Sequence, residues 1–501
     1  MVLNVLSRIE SLRIRNAKNT SAVNDDLFRL LCSKDLLAVS HNKIKRKLGN
    51  LNLGTDGETL DSFSEDLINK TIREVKTHLF KFKPVRREDI FKNNIDKSGL
   101  LGSLSPKDKI VQQAMLFILE AIYEPIFSEN SYGFRPRQSC QTSLKEVKHS
   151  WSGVTWIIEG DIKGCHNNID HHILINILKL KINDERFIGL IWKLLRAGVV
   201  KDRITNKAFI GVPQGGILSP LLANIYLNTL DNIVQKLITD TASVKLTQSN
   251  PKHETIRGKT YRFRTLRENT QVRLIKPSKE KLFEIIKLKN IQKISFSKDP
   301  FKVLSKKVLF IRHFDDWIIG VDGSYSLAMD IKDKIENFLA KDLNLTLFRE
   351  KTKINCAFKS KIKYLSHYIK CEGPLQNFVN STPKKRVLGR QIRIFVPMDS
   401  ITQRLADQNF CTKLGRAQRK KEWTLCSDNI IVEKYNYILR GIRNYYSSAD
   451  NFATSMNRIQ FIIKYSCAHT LANKHGTRIS TQLLRLPKLR LDIRRETKNG
   501  L

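Results

Sequence analysis

The sequence is short of acid and short of organised cysteine. Its eight cysteines, Cys32, Cys140, Cys165, Cys356, Cys371, Cys411, Cys426 and Cys467, form no CxxC pair and have no histidine-rich segment at ligand spacing. A zinc module and a secreted disulfide framework are both disfavoured, and a reducing compartment is the expectation. No apolar run is long enough to span a bilayer, so no membrane association is expected. No GxxxxGK is present, which sets aside a nucleoside-triphosphatase loop. The acidic deficit is large: 48 Asp plus Glu face 88 Lys plus Arg, a net charge of +40 over 501 residues. Because the excess runs along the whole chain, it points to a polyanionic partner, nucleic acid first. Hydrophobic residues still make up 41%, which fits two or three domains with cores of their own better than a merely solvating basic surface.

Residues 1–80 read as a polar helical extension, with DDLFRLLCSKDLLAVSHNKI as the clearest amphipathic part and Asp61, Ser62, Ser64 and Glu65 as a capping group before an acidic first turn. The opening stretch, MVLNVLSRIESLRIRNAKN, is explained as well by an ordinary first helix as by a transit peptide. From Phe80 to Lys97, Lys81, Lys83, Arg86 and Arg87 interleave with aromatic residues, as on a surface that lies on phosphates and bases. A helix capped by Ser105 with Pro106 in its first turn follows. The loop SYGFRPRQS then gathers Tyr132, Phe134, Arg135 and Arg137.

An apolar strand from Trp156 delivers Asp161 at its end, and a helix follows Asp170. The loop GVPQGG at 211–216 has the bare backbone that lets a nucleotide approach closely. Behind it, Ser219 and Pro220 open a helix with Leu222, Ile225, Tyr226, Leu230 and Ile233 on one face. Residues 235–305 are dense in Lys and Arg and read as an RNA-facing insertion, with a solvated linker as the alternative. Val308–Val321, VLFIRHFDDWIIGV, is two β-favouring runs separated by Asp315 and Asp316, a tight hairpin with paired carboxylates at its bend. Adjacent aspartates aimed at one place repel unless a cation lies between them, which suggests Mg²⁺.

The helix SLAMDIKDKIENFLAKDL and two strand-like stretches, LTLFREKTKI and KIKYLSHYI, complete a mixed α+β domain. Composition shifts near Ser381 to a basic, mostly helical region in which Ile431, Tyr435, Ile438, Ile442 and Tyr445 keep one face, followed by the helix NRIQFIIKYSCAHTLANKH. Basic residues around these helices suit recognition of folded RNA by shape and phosphate; a helical bundle with a solvated basic face is the alternative.

Taken in order, these motifs resemble the group II intron maturases, relatives of the reverse transcriptases. The resemblance runs from about Asp25 to Lys474 and rests on SYGFRPRQS, EGDIKGCHNNIDHH, GVPQGGILSPLLANIYLNTLD, FIRHFDDWIIG, REKT and YNYILRGIRNYY. It implies an α+β right-hand polymerase of fingers, palm and thumb followed by a helical maturase domain X. The implied plan is an N-terminal extension over 1–80, fingers and palm over 81–380 with the basic insertion, thumb and domain X over 381–480, and a basic tail over 481–501. Asp161, Asp315 and Asp316 match the palm carboxylates that hold two Mg²⁺ ions, and Lys351 matches the lysine after the catalytic hairpin. Gln214, Gly215 and Arg135 fall where template and nucleotide are handled. Arg416, Arg419, Lys420, Lys421, Arg440, Asn444, Tyr445 and Lys474 become candidate contacts to structured intron RNA. An organelle, plastid or mitochondrion, is the expected location, in keeping with a Lys-, Asn- and Ile-rich sequence.

The departures from the family pattern concern nucleotide handling. His166 stands where an aromatic residue usually excludes the ribose 2′-hydroxyl, and Asn167 follows where Asp is common. Gly99 and Leu100 replace the Arg-Pro pair that grips the triphosphate, a charge-assisted contact of about 1.5 to 3 kcal/mol. His313 and Phe314 replace Tyr-Ala before the aspartates, Ser366 replaces a glycine near the primer grip, and no HNH endonuclease motif is found. The expectation is a splicing cofactor that binds intron RNA, with an active RNA-directed DNA polymerase on a DNA primer and RNA template as the alternative.

Overall fold

Trp156 to Asp161 form strand β3, and the paired apolar runs of the hairpin form β6 (Lys307–His313) and β7 (Asp316–Asp322). With β8 (Lys353–Cys356) they make an antiparallel sheet in the order β6-β7-β3-β8. The sheet separates two hydrophobic cores. Ile158, Phe310, Trp317, Ile319 and Val321 feed one, while Ile157, Ile311 and Ile318 feed the other. Burial on both faces is why these strands read as nearly continuous apolar runs instead of alternating ones. The structure is a computed structural model, and it describes residues 2–45, 65–90, 99–201, 204–206, 210–213, 215–241, 307–372 and 391–486. The expected basic insertion past residue 241, Gln214, the proposed capping residues 61–64 and the tail past 486 lie outside the described residues.

The expected N-terminal extension is helical where described, with α1 (Val2–Lys18), α2 (Leu27–Leu31), α3 (Lys34–Lys45) and α4 (Glu65–Lys76). α1, α2 and α3 pack against α5 (Pro106–Tyr123) and α4 against α3, so all share the first core. Ser105 accepts the Asp108 amide and Pro106 occupies the first turn of α5, as the sequence predicts. Next come α6 (Cys140–Ser150), the short α7 (Cys165–Asn168), α8 (His171–Lys179), α9 (Glu185–Arg196) and α10 (Ser219–Thr241). Asp170 caps α8 by accepting the amides of His172 and Ile173. A separate small sheet, β2-β1-β4-β5, joins β1 (Val85–Ile90) and β2 (Gly99–Ser103) to β4 (Val199–Lys201) and β5 (Ile204–Asn206).

After the hairpin, α11 (Tyr325–Asp342) is capped by Ser324. The stretch LTLFREKTKI forms a turn over 349–351 before β8, so only its end is a strand. KIKYLSHYI is a hairpin of β9 (Ile362–Tyr364) and β10 (His367–Glu372), turning through Leu365 and Ser366, both at positive φ. The region expected to begin as helix near Ser381 instead contributes β11 (Gln391–Phe395), which pairs with β10. Its alternating burial, with Ile392 and Ile394 inward, explains the choice of strand. The helices α12 (Met398–Asp407), α13 (Asp428–Tyr446), α14 (Phe452–His475) and α15 (Ile479–Arg485) then close the second core. The buried face of α13 runs through Ile431, Val432, Tyr435, Leu439 and Tyr446. Ile438 and Ile442 lie at its margin and Tyr445 is exposed, so that face is rotated from the one expected.

Candidate catalytic hairpin and nucleic-acid face

The β6–β7 bend is Phe314 and Asp315. Phe314 takes φ +63° although it is neither Gly nor Asn, and its ring is buried. This conformation is costly for a bulky residue, and four contacts hold it. The ring packs on His166, centroids 4.5 Å apart, and edge-on against Phe134 at 5.1 Å. Gly133 lies so close that an added Cβ would sit 2.6 Å from the Phe314 amide nitrogen. The fully buried Arg312 guanidinium donates to the Phe314 carbonyl at 3.0 Å, to both carboxylate oxygens of fully buried Asp231 at 2.7 Å, to Asn224 and to Ser131. Asn224 in turn donates to the Gly133 carbonyl at 2.7 Å. The SYGFRPRQS loop, α10 and the hairpin are thereby tied at one point directly under the aspartates.

Asp161 and Asp316 are register partners across β3 and β7, and the Ile162 amide reaches the Asp315 carbonyl. Burial, then the carboxylates of Asp315 and Asp161, push the Asp316 carboxyl up to about 6. Asp315 is also raised, by burial first and with a contribution from Asp161. Lys351 forms an ion pair with Asp161, and this hydrogen bond raises the lysine. Glu159, two residues before Asp161 and so on the same face of β3, is pushed by burial up to about 7 while Asn355 donates to it. Glu159, Asp161, Asp316 and Lys351, with Lys353 and Lys363, line a cavity of about 240 Å³. Hard oxygen donors that repel one another are the chemistry that suits Mg²⁺. Among the described residues no three such donors converge on one point, and Lys351 holds the Asp161 carboxylate.

The Gly-rich loop is stitched beside this cleft. The Val212 amide donates to His166 at 2.7 Å, the Gly211 amide donates to Ile169 at 2.8 Å, and His171 Nε2 meets the Gly211 carbonyl at 2.6 Å. Gly215 is exposed at φ +88°, a conformation suited to glycine. Arg135 does not face the cleft as a free cation. It is mostly buried, paired with Glu124 at 3.0 Å and bonded to the Ser131 carbonyl, so it braces its own loop. The aromatic residues of the 80–97 segment correct the expected nucleic-acid surface as well: Phe80 and Phe82 are buried edge to face in the first core, leaving Lys81 and Lys83 outside.

In the C-terminal region Arg416, Arg419, Lys421, Arg440, Asn444 and Tyr445 are exposed. Lys420 is not: it is buried, its ammonium donates to the Gln408 carbonyl at 2.9 Å and pairs with Glu422, and it lies over Phe410. Lys474 donates to Asp428 at 2.6 Å and to the Cys426 carbonyl, clamping α14 to the start of α13. Tyr445 stacks on His367 and donates to the Leu365 carbonyl, which joins α13 to the β9–β10 turn. The network of Arg312, Asp231 and Asn224 is one that sequence reasoning missed. Its signal is two polar residues seven apart on the apolar face of α10.

Comparison with known proteins matches residues 90–248 to the reverse transcriptase (RNA-dependent DNA polymerase) family and 390–499 to the type II intron maturase family. The group II intron-encoded protein LtrA of Lactococcus lactis is 33% identical over 94% of this chain and 78% of its own length. The chain belongs to the group II intron-encoded maturase and reverse transcriptase family. A putative COX1/OXI3 intron 1 protein of Saccharomyces cerevisiae is 33% identical over 93% of this chain and 55% of its own length, and a mitochondrial protein of Marchantia polymorpha is 27% identical over 76% of the chain. In this family member the maturase match begins at 390, one residue before β11, so the matched segment includes the strand that docks it to β10.

Proposed function

We propose that the protein binds a structured group II, or related, intron RNA and helps it reach its splicing-competent fold, with the cleavage and ligation chemistry supplied by the RNA. The carrying observation is the exposed set Arg416, Arg419, Lys421 and Arg440, which makes no ion pair among the described residues; Arg440 shares its helix with exposed Tyr437 and Asn444, one turn away on either side. Cations without an acidic partner in a packed helical domain are free to meet phosphate, and aromatic neighbours can stack on bases. The scaffold is a right-hand polymerase: the small sheet serves as fingers, the hairpin sheet with β9 and β10 as palm, and 381–480 as thumb and domain X. An organellar location, plastid or mitochondrion, accompanies this reading. It is tested by depleting the protein in its native compartment and sequencing the transcripts. A particular intron should remain unspliced; normal removal of every organellar intron would contradict the proposal.

The intact carboxylates favour a second reading, RNA-directed DNA polymerase. Asp161, Asp315 and Asp316 would then hold two Mg²⁺ ions, which lower the pKa of a primer 3′-hydroxyl and stabilise charge on the transferring phosphoryl group. Lys351 would orient Asp161, Gly215 would border the template, and His166 on Phe314 would wall the nucleotide sugar. Primer extension on an RNA template, comparing the native protein with Asp315→Ala, separates the readings. Robust copying that disappears in the variant would make the protein a polymerase as well.

A further inference from the structure

A second concave site lies away from the aspartates. Lys81 and Phe82 lead into β1, α9 leads into β4, and β1 and β4 run parallel with Val85 opposite Val199. This pairing brings the two lead-in segments together around a groove of about 610 Å³ lined by Lys81, Phe82, Gly189, Trp192, Lys193 and Arg196. The groove has an apolar floor, since Phe82 is buried. Its wall is aromatic and cationic: the Arg196 guanidinium lies over the Trp192 ring, 4.5 Å from the centroid. Lys193 is pinned by donating to the His78 carbonyl at 2.6 Å and the Phe80 carbonyl at 3.3 Å, which fixes its charge at the rim. Among the described residues no acidic side chain lines the groove, and a Cβ added at Gly189 would meet open space. Both imidazoles at the start of α8 face Trp192 edge-on, with centroids at 6.2 Å for His171 and 5.1 Å for His172. His171 also holds the Gly211 carbonyl of the Gly-rich loop.

We propose that this groove is a subsite for one unpaired nucleotide of a single-stranded RNA segment. The base stacks on the Trp192–Arg196 pair over the Phe82 floor, and the flanking phosphates lie against Lys81 and Lys193. The volume suits one nucleotide. A ring-and-guanidinium platform is the sequence-tolerant way to hold an unpaired base, and a duplex cannot offer one. This inference rests on the RNA-binding reading above and adds a contact on the polymerase half of the chain, outside the catalytic cleft and its neighbouring loops.

The test measures binding of the full chain to a ten-nucleotide single-stranded RNA, the same RNA as a duplex, and folded intron RNA, with a 4-thiouridine crosslink mapped by peptide sequencing. The native protein is expected to crosslink within 189–196. Arg196→Glu and Gly189→Leu should each weaken single-strand binding about tenfold, the order expected when one base no longer stacks, with duplex affinity unchanged. Gly189→Leu fills the groove and replaces a helical glycine, so it should leave thermal stability unchanged or raised, and a loss of binding cannot then be ascribed to unfolding. Native single-strand affinity in both variants, or a crosslink mapping elsewhere, would overturn the subsite. If the native protein bound folded intron RNA but not the single strand, the subsite would fail while the splicing reading stood; if it bound neither, both would fail.

Discussion

The hairpin cleft and the outer face of the C-terminal helices are both rich in charge, and they use it in opposite ways. In and beneath the cleft the charges answer one another: Arg312 with Asp231 fully buried, half-buried Asp316 against Asp315, and half-buried Asp161 held by the exposed Lys351. On the C-terminal face Arg416, Lys421 and Arg440 are exposed without ion pairs among the described residues. A paired, desolvated charge is committed to the fold, and its removal leaves a partner stranded. An exposed charge costs the fold little and remains available to a polyanion. The comparison therefore assigns architecture to the first set and recognition to the second.

The sharpest way to break this contrast is at its most buried point. Arg312→Met should cost about 3 to 5 kcal/mol, because Asp231 is left as an unpaired charge in the core. Urea unfolding would measure it, and a loss within the range of ordinary surface substitutions would mean that the network does not stabilise the fold.

Next in size is an expected gain. The Asp316 carboxyl is raised to about 6 in the folded protein, against about 3.9 in an unfolded chain. Below about pH 4 both states hold the proton and Asp316→Asn should change nothing. As pH rises from about 4 toward 6 the unfolded chain loses its proton first, so native stability is lost over that window. In metal-free buffer at about pH 8 the variant should therefore be more stable by up to roughly 3 kcal/mol, and thermal melts across pH would show the difference close on acidification. Equal melting at every pH would contradict the raised Asp316 carboxyl, set by burial first and by its carboxylate neighbours second.

Neighbouring lysines sharpen the comparison within one loop. Lys420→Ala should lower stability by about 1 to 2 kcal/mol through the loss of its internal hydrogen bonds, while Lys421→Ala should stay within about 0.5 kcal/mol. The smallest effect on the fold belongs to the double variant Arg416→Gln and Arg440→Gln. It should melt like the native protein, bind intron RNA more weakly at all sequences, and lower the slope of log affinity against log salt by about one for each phosphate no longer neutralised. An unchanged slope would remove these arginines from the interface.

Local chemistry made much of this legible in the sequence. The Ser105 cap, the helix after Asp170 and the β3 strand ending at Asp161 follow from side-chain preferences acting over a few residues and form as expected, while the hairpin forms with its bend one residue early, at Phe314 and Asp315, so that Asp316 opens β7. What was not legible depends on packing between distant segments. Lys420 and Arg135 look like their surface neighbours until Gln408, Glu422 and Glu124 are brought beside them. Phe80 and Phe82 sit among lysines in a pattern shared by RNA-binding surfaces, and only the packing of α5 and α9 decides that the rings turn inward. β11 lies in a basic stretch whose strand character depends on a free edge of β10. Arg312 was hidden for the same reason, because its partners Asp231, Asn224 and Ser131 are 81, 88 and 181 residues away.

The most direct test compares the two regions in one assay. Splicing of the dependent intron transcript is followed in vitro with the native protein, with Asp315→Ala/Asp316→Ala, and with Arg416→Glu/Arg419→Glu/Arg440→Glu, each verified as folded. Native splicing rates are expected with the aspartate variant and loss of stimulation with the arginine variant. Loss of splicing in the aspartate variant, with full activity in the arginine variant, would contradict that expectation.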